Sequence, residues 1–584
     1  MTRRRAAFHA AGVYAVVAWF LVQLLAASAG ALALPEWSVR FAVGLSFVGL
    51  PVALGLAWMF ARTSRHTPAP PTSGHPQRTG QQSGRRVARL RPPRLETVLL
   101  ATLALLGVGL WAYRTRRSDV PVASAVSATS VAVLPFENVT GDPEQDFFSQ
   151  GISDEIRASL SRVPGLEVAS RTSSFHHASR GETVQEIGGA LAVASILEGT
   201  VERASDRVRI RVSLVDTHTD RQLWTETFDR QLDVETLFAV EAEVAEAVAR
   251  ALQLELAPGG GRLSGAVPAS MAAHDLYLLG LFYWNRRTGE DLLRAADFFE
   301  QAAGRDPTYA LAYAGVANTH VLLPLYARVP ADEAMPRALA AAETALALDS
   351  TLAEAHAAVA LVRATFEWDW AAAEAGFRRS LSLNPRYATA HEWYGVLLDA
   401  LGRREEARAE LERALSLDPM LAILNEVFGN HLLFAGDYDA AIAQLRRTLE
   451  LQPDFPLALQ FLAEAYLLAG RREDGLRTLR RLAEVTDAPR EAWARVLAGM
   501  DSPTQRADAL RALEELGRAG ALGPYNRAQY AALLGAEQEA LAALEEGLVV
   551  RDFLMFLVSA DPAFDDLADE PRFVAILARM GLQP

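Results

Sequence analysis

The chain has 584 residues, and a prior of roughly 100 to 200 residues per domain predicts several units rather than one core. It contains no cysteine and no lysine, its 57 basic residues all being arginine, which excludes disulfides, thiolate zinc sites, a cysteine nucleophile, a P-loop lysine and Schiff-base chemistry. The formal net charge of −14 is unevenly spread, with 15 Arg against Glu36 and Glu96 in residues 1–117 and 42 Arg against 69 acids beyond them; so acidic a remainder argues against nucleic-acid binding, which needs a basic face to neutralise phosphate.

In chain order, Gly12 to Leu34 is an uncharged stretch of 23 residues and Phe41 to Ala61 another of 21. Both are long enough to span a hydrocarbon core of ~30 Å, and Pro51 is tolerated in such a helix. A cleaved signal peptide fits the first poorly, because a second apolar stretch follows at once. Residues 62–94 hold eight Arg, six Pro and no acid, the composition of an extended cytoplasmic linker. Thr97 to Tyr113 has 17 apolar or small residues between basic flanks and reads as a third span or as a buried helix. The expected organisation is a two-span membrane anchor over 1–61, the linker over 62–94 and a third transmembrane helix within 95–117. The positive-inside bias then exports everything after Tyr113, against the opposing charges of Arg114, Arg116 and Arg117.

The next region, 127–256, has the patterns of an α/β module. Ser130 to Phe136, SVAVLPF, is a short apolar run suited to a buried strand. The glycine-containing acidic loop after it could be taken for a phosphate cradle, but it lacks lysine and repeated glycines, and Asp142 and Glu144 would repel an anion. Asp142 as N-cap, Pro143 at the first helical position and Gln145 three after the cap account for it as a helix start. Phe148, Ile152, Ile156 and Leu160 then recur every four residues as one apolar stripe. Val208, Ile210, Val212 and Leu214 alternate with Arg207, Arg209, Arg211 and Ser213, a half-buried antiparallel strand. SILEGTVER before it and the turn ASDR predict a hairpin, RQLWTETF a further strand, and about Val234 to Leu256 an amphipathic helix. His176 and His177 are adjacent, a poor geometry for joint metal ligation, and are expected in a surface loop.

VAVLPFENVTGDPEQDFFSQGISDEI, VPGLEVASRTSSF, ILEGTVERASDRVRIRVSLVD and QLWTETFDR resemble the TolB-like amino-terminal module of bacterial membrane proteins that continue into tetratricopeptide repeats. The resemblance implies a multidomain protein: N-terminal transmembrane helices, an α/β TolB-like module and an all-α repeat solenoid. With the charge bias, it implies a place in the bacterial inner membrane with the C-terminal domains in the periplasm. Members often carry an adenylate cyclase or winged-helix domain before the anchor, and the sequence has neither pattern there.

From 274 to 584 the sequence is alanine-rich and helical. Pro385, Pro419 and Pro453 are spaced by 34, preceded by SLSLNP, ALSLDP and TLELQP, which is the tetratricopeptide period. Gly395, Ala407, Leu411 and Ala414 stand where paired helices cross, and Gly429, Ala441 and Leu445 repeat them. Pro307 to Pro385 spans 78 residues, ten more than two periods, which predicts an insertion near PLYARVPADEAMP.

Such a solenoid buries a continuous core and presents a concave face suited to peptides or protein surfaces, or serves only as a rigid spacer. The register places Glu392, Asp399, Glu426, Asn430, Gln460 and Glu464 on that face. Four acids without a base would favour a basic or polar protein segment, with salt-sensitive binding. No catalytic constellation, metal motif or cofactor motif occurs. The expectation is a non-catalytic membrane scaffold or adaptor for protein partners, or the sensor subunit of a signalling system whose effector is a separate protein.

Overall fold

The computed structural model describes residues 127–204, 206–254, 268–486 and 488–583. All of these residues belong to one compact unit. The expected spans at 12–34, 41–61 and 97–113, with the linker at 62–94, lie outside the described residues. Among the described residues no helix is long and apolar enough to cross a membrane. The 18-residue helices Val234–Ala251 and Ala331–Leu348 are broken by charges, Glu241, Glu243 and Glu246 in one and Asp332, Glu333 and Arg337 in the other. The expected fold class is therefore corrected: the described chain is a helical-repeat solenoid with a small mixed sheet, and membrane helices are no part of it.

The sheet is built from β1 (Ser130–Val133), β2 (Glu137–Asn138), β3 (Glu167–Val168), β4 (Ser195–Arg203), β5 (Arg207–Asp216) and β6 (Gln222–Gln231). Its order is β3-β1-β4-β5-β6, with β2 also paired to β4. The β1–β3, β1–β4 and β2–β4 pairs are parallel, and β4–β5–β6 is antiparallel. Parallel strands need cover on both faces, and β1 has it: Val131 and Val133 pack into the main core while Ala132 joins Ile187, Val193 and Ile196 on the other side. On β5, Val208, Ile210, Val212 and Leu214 are buried. Arg207 and Arg209 on the wet face pair with Asp229, and Arg209 also with Glu202.

The helix Asp146–Leu160 covers this sheet through Phe148, Ile152, Ile156 and Leu160, all 0% exposed, each burial stabilising by roughly 1.5–3 kcal/mol. Asp142 caps a single 3-10 turn, Pro143–Gln145, ahead of it, accepting the Glu144 N–H at 3.0 Å. His176 and His177 lie on the helix Arg171–Ser179 rather than in a loop, because the Ser170 hydroxyl caps it by accepting the Ser173 N–H at 3.1 Å. His177 Nδ1 is 2.7 Å from Glu182 Oε2.

The solenoid begins at Met271–Trp284. Helix starts at Ala310, Ala353, Ala388, Ala422 and Pro456 advance by 43, 35, 34 and 34 residues. The first excess is the short helix Leu323–Tyr326 and the turn after it; the second is a π-helical turn, Arg363–Glu367, which absorbs one extra residue. Close crossing is enforced at the small positions: a Cβ at Gly395 would lie 2.6 Å from Leu411, and one at Gly429 2.7 Å from Leu445.

The module and the solenoid share a core. Leu278, on the first solenoid helix, packs into the sheet's cluster and against Gly151. Arg203 donates both Nη groups to Asp275, at 2.9 and 2.6 Å. His274 Nε2 is buried 2.8 Å from Glu155 Oε1. Farther along, Arg386 Nη2 donates to the Val168 carbonyl at 3.0 Å.

Candidate functional site

The inner face of the middle repeats is formed by Ala388–Ala400, Ala422–Phe434 and Pro456–Leu468. Glu392 and Asp399 lie on the first, Glu426 and Asn430 on the second, Gln460 and Glu464 on the third. None is a solvated groove residue: their exposures run from 2% for Glu426 and Glu464 to 9% for Gln460. The cause is a fold-back of the chain end, which lays the 3-10 segment Phe553–Leu557 onto this face. Asp552 starts that segment, accepting the Leu554 N–H at 3.0 Å. Arg551, bonded to the Phe366 carbonyl, and Ser559, bonded to the Ala400 carbonyl, fasten it from both sides, and Trp370 holds the chain end farther on at Met580.

Under this cover the candidates separate into two groups. Glu392, Asp399, Glu426 and Asn430 line a cavity of about 80 Å³ whose apolar wall includes Leu361, Val427, Phe553 and Phe556. Asn430 Nδ2 donates to Glu426 Oε1 at 2.7 Å. Burial pushes the Glu426 carboxyl up to about 8, against the bond from Asn430, and Glu392 raises it further. Burial pushes Glu392 to about 7, while the Arg287 guanidinium works in the opposite direction. Burial also raises Asp399, and His431, whose Nδ1 lies 2.9 Å from Asp399 Oδ1, holds it down.

Gln460 and Glu464 belong instead to a closed network with the C-terminal helices. Gln529 Nε2 donates to Glu464 Oε2 at 2.8 Å and to Asp561 Oδ2 at 2.9 Å, and the Tyr525 hydroxyl donates to the same Asp561 oxygen at 2.6 Å. Gln460 Nε2 reaches Gln529 Oε1 at 3.3 Å. Burial and the neighbouring Asp561 carboxyl both hold Glu464 well above the usual carboxylate range.

The face is not without a base. Arg287, 9% exposed, lines the cavity together with Tyr326, and His431 pairs with Asp399. Arg287 lies beyond the first solenoid helix and Tyr326 in the insertion, outside the 34-residue register that located the acids. The curvature of the solenoid brings them in, and no local pattern marks them.

Two family models described as tetratricopeptide repeat match residues 388–419 and 432–499, and the chain contains these repeats. A protein of Rhizobium meliloti (strain 1021) named "Putative adenylate cyclase 3" is 42% identical over 130 residues, 22% of this chain. The match spans only 22% of that relative's own length. A thermophilic TPR protein of Thermus thermophilus is similar at 23% identity and a TM-score of 0.29, over 34% of this chain and 100% of that one. YrrB, described as a TPR protein with an unusual peptide-binding site, has 25% identity and a TM-score of 0.24, over 32% and 93% of the two chains. PilW, described as a type IV pilus biogenesis factor, has 23% identity and a TM-score of 0.27, over 45% and 98%.

Proposed function

We propose that the chain is a non-catalytic scaffold that recruits other proteins through its repeat array, with the mixed-sheet unit a TolB-like module fused to the array's first helix. The observation that carries this reading is the run of tetratricopeptide repeats with helices crossing at Gly395 and Gly429, an architecture whose inner face suits protein segments and where Phe553–Leu557 leaves Val396 and Leu457 only half-buried. A photo-crosslinking residue placed in the full chain at Val396 or Leu457, half-buried on that face, is expected to give discrete protein adducts in cells. The same residue at Val549, 73% exposed, is the control and gives none. Absence of adducts from both inner positions overturns recruitment through this face, and formation of cyclic AMP from ATP by the purified chain overturns the non-catalytic part.

The identity shared with a protein named as an adenylate cyclase favours a second reading, a sensor subunit whose effector is a separate protein. Deleting the gene would then change cyclic AMP in intact cells while the purified chain makes none. An unchanged cyclic AMP level removes this second reading.

A further inference from the structure

The cavity beneath Phe553–Leu557 is bounded by polar atoms that the chain leaves unpaired. Glu392 Oε2, Asn430 Oδ1, the Tyr326 hydroxyl and Arg287 Nη1 are buried without a hydrogen-bond partner, and all four side chains line the cavity. Glu392 is 4%, Asn430 6% and Arg287 9% exposed. Each unpaired group is a cost to folding, and native interiors hold few of them, so a concentration around one small space marks a place made for polar contact.

With Glu392 and Glu426 ionised, the set is short of a cation with several donors. Glu392 and Glu426 face one arginine, Arg287, whose guanidinium is already stacked 3.9 Å from the centre of the Trp284 ring. Asp399 has its own partner in His431. The unpaired oxygens of Asn430 and of the ionised Glu392 carboxylate can only accept, and the Tyr326 oxygen can; Arg287 Nη1 is a donor that a cation leaves unpaired. Volume limits what carries the charge. A dry cavity of about 150 Å³ holds benzene, so about 80 Å³ holds on the order of three non-hydrogen atoms. That suits an ammonium with its adjoining methylenes, a compact charge with three donors, better than a planar guanidinium. The apolar wall accommodates the methylene stem.

We propose that this cavity is an ammonium-binding subsite of the repeat array, receiving the end of a lysine side chain from a partner protein. The chain has no lysine of its own, so the occupant comes from another polypeptide. This inference rests on the scaffold reading above, and its test differs: crosslinked adducts report whether proteins dock at all, whereas a small probe reports whether this subsite holds a cation.

The probe is n-propylammonium, titrated into the full chain by calorimetry and by saturation-transfer NMR, with n-propanol and n-propylguanidinium as comparisons. Propylammonium is expected to bind at least tenfold more tightly than either. Its binding should strengthen at least tenfold from pH 6 to 9, as Glu392 and Glu426 ionise at about 7 and about 8 while an alkylammonium stays charged. Of the other groups facing the cavity, arginine stays charged over that range and burial raises the Tyr326 phenol further out of it; the Asp399–His431 pair is controlled by Asp399→Asn, which should leave the slope unchanged. Glu392→Gln and Glu426→Gln should each lose at least tenfold; comparison with the alcohol and the wild-type pH profile need no variant to fold.

Equal binding of the alcohol, a flat pH profile, or no binding at all overturns the proposal and leaves water as the partner of these atoms. A blocked Phe-Leu-Lys-Phe tetrapeptide should bind at least as tightly as propylammonium. If the free amine binds and the tetrapeptide does not, the lysine assignment falls and a small amine is the ligand.

Discussion

Trp370 donates its indole N–H to the carbonyl of Met580 at 2.7 Å, joining residues 210 positions apart. A helical-repeat array ordinarily contacts only its neighbours along the chain, and this bond breaks that rule. Ser559 Oγ to the Ala400 carbonyl at 2.9 Å and Arg328 Nη1 to the Gly520 carbonyl at 2.6 Å repeat the pattern. The consequence is that Phe553–Leu557 roofs the inner face, and the candidate acids beneath it are buried rather than solvated.

Trp370→Phe keeps most of the ring and removes the donor. We expect a loss of about 1 kcal/mol in global stability, the net worth of one such bond. Amide exchange should accelerate over 571–582 but not over 404–417, measured on the full chain. Unchanged exchange in both segments would mean that this bond does not hold the fold-back.

Gly429→Ala should destabilise by about 1–3 kcal/mol, because its Cβ would meet Leu445 at 2.7 Å in a packed crossing. Gly304→Ala is the control. Nothing lies within 4 Å of a Cβ there, and the helix should gain up to about 1 kcal/mol. Chemical denaturation that ranks the two variants in the opposite order would contradict the assigned crossing.

The pH dependence follows from the buried acids. Glu426 titrates at about 8 and Glu392 at about 7 in the folded chain, both above the unfolded value near 4.3. The folded state therefore binds more protons than the unfolded state between those limits, so stability is highest below about pH 4.3 for these groups and falls as pH rises to 7–8. Glu426→Gln removes one of these titrations. Its melting temperature should exceed that of the wild type at pH 8, with a gap of order a few kcal/mol in stability that closes toward pH 5. A gap that stays constant with pH would show that Glu426 is already ionised in the folded chain.

Asp142→Ala removes the cap on the turn before Asp146–Leu160 and should cost about 1 kcal/mol. Crosslinked adducts at the inner face should be unchanged, since the capped turn belongs to the sheet module. Loss of adducts with an unaltered melting curve would instead give this loop a part in recruitment.

Charge reversal of Glu426 and Glu464, which the repeat register presents as a surface test, becomes a core substitution. Both residues are 2% exposed, and placing guanidinium groups there leaves buried charges without partners. We expect Glu426→Arg with Glu464→Arg to lose cooperative unfolding; a normal melting curve for the double variant would place these residues at a mobile surface.

What the sequence determined is what its local periods carry. The alternation along Val208–Leu214, the four-residue stripe from Phe148 to Leu160 and the 34-residue spacing of the repeats each encode which face of one element is apolar, and burial follows from that face alone. The insertion between Ala310 and Ala353 was legible for the same reason, as an interruption of a period. The tertiary structure decided what lies opposite each face. Glu392 and Glu426 have the spacing of an open groove, but the return of Phe553–Leu557 to the inner face buries them, and the solenoid's curvature delivers Arg287 and Tyr326 to the same cavity. Phe553 lies more than a hundred positions beyond Glu392 and Glu426, and the free energy of the fold-back comes from burying FLMFL against surfaces that exist only after the repeats have stacked. No period in the sequence records that pairing, because neither partner is complete until the other has folded.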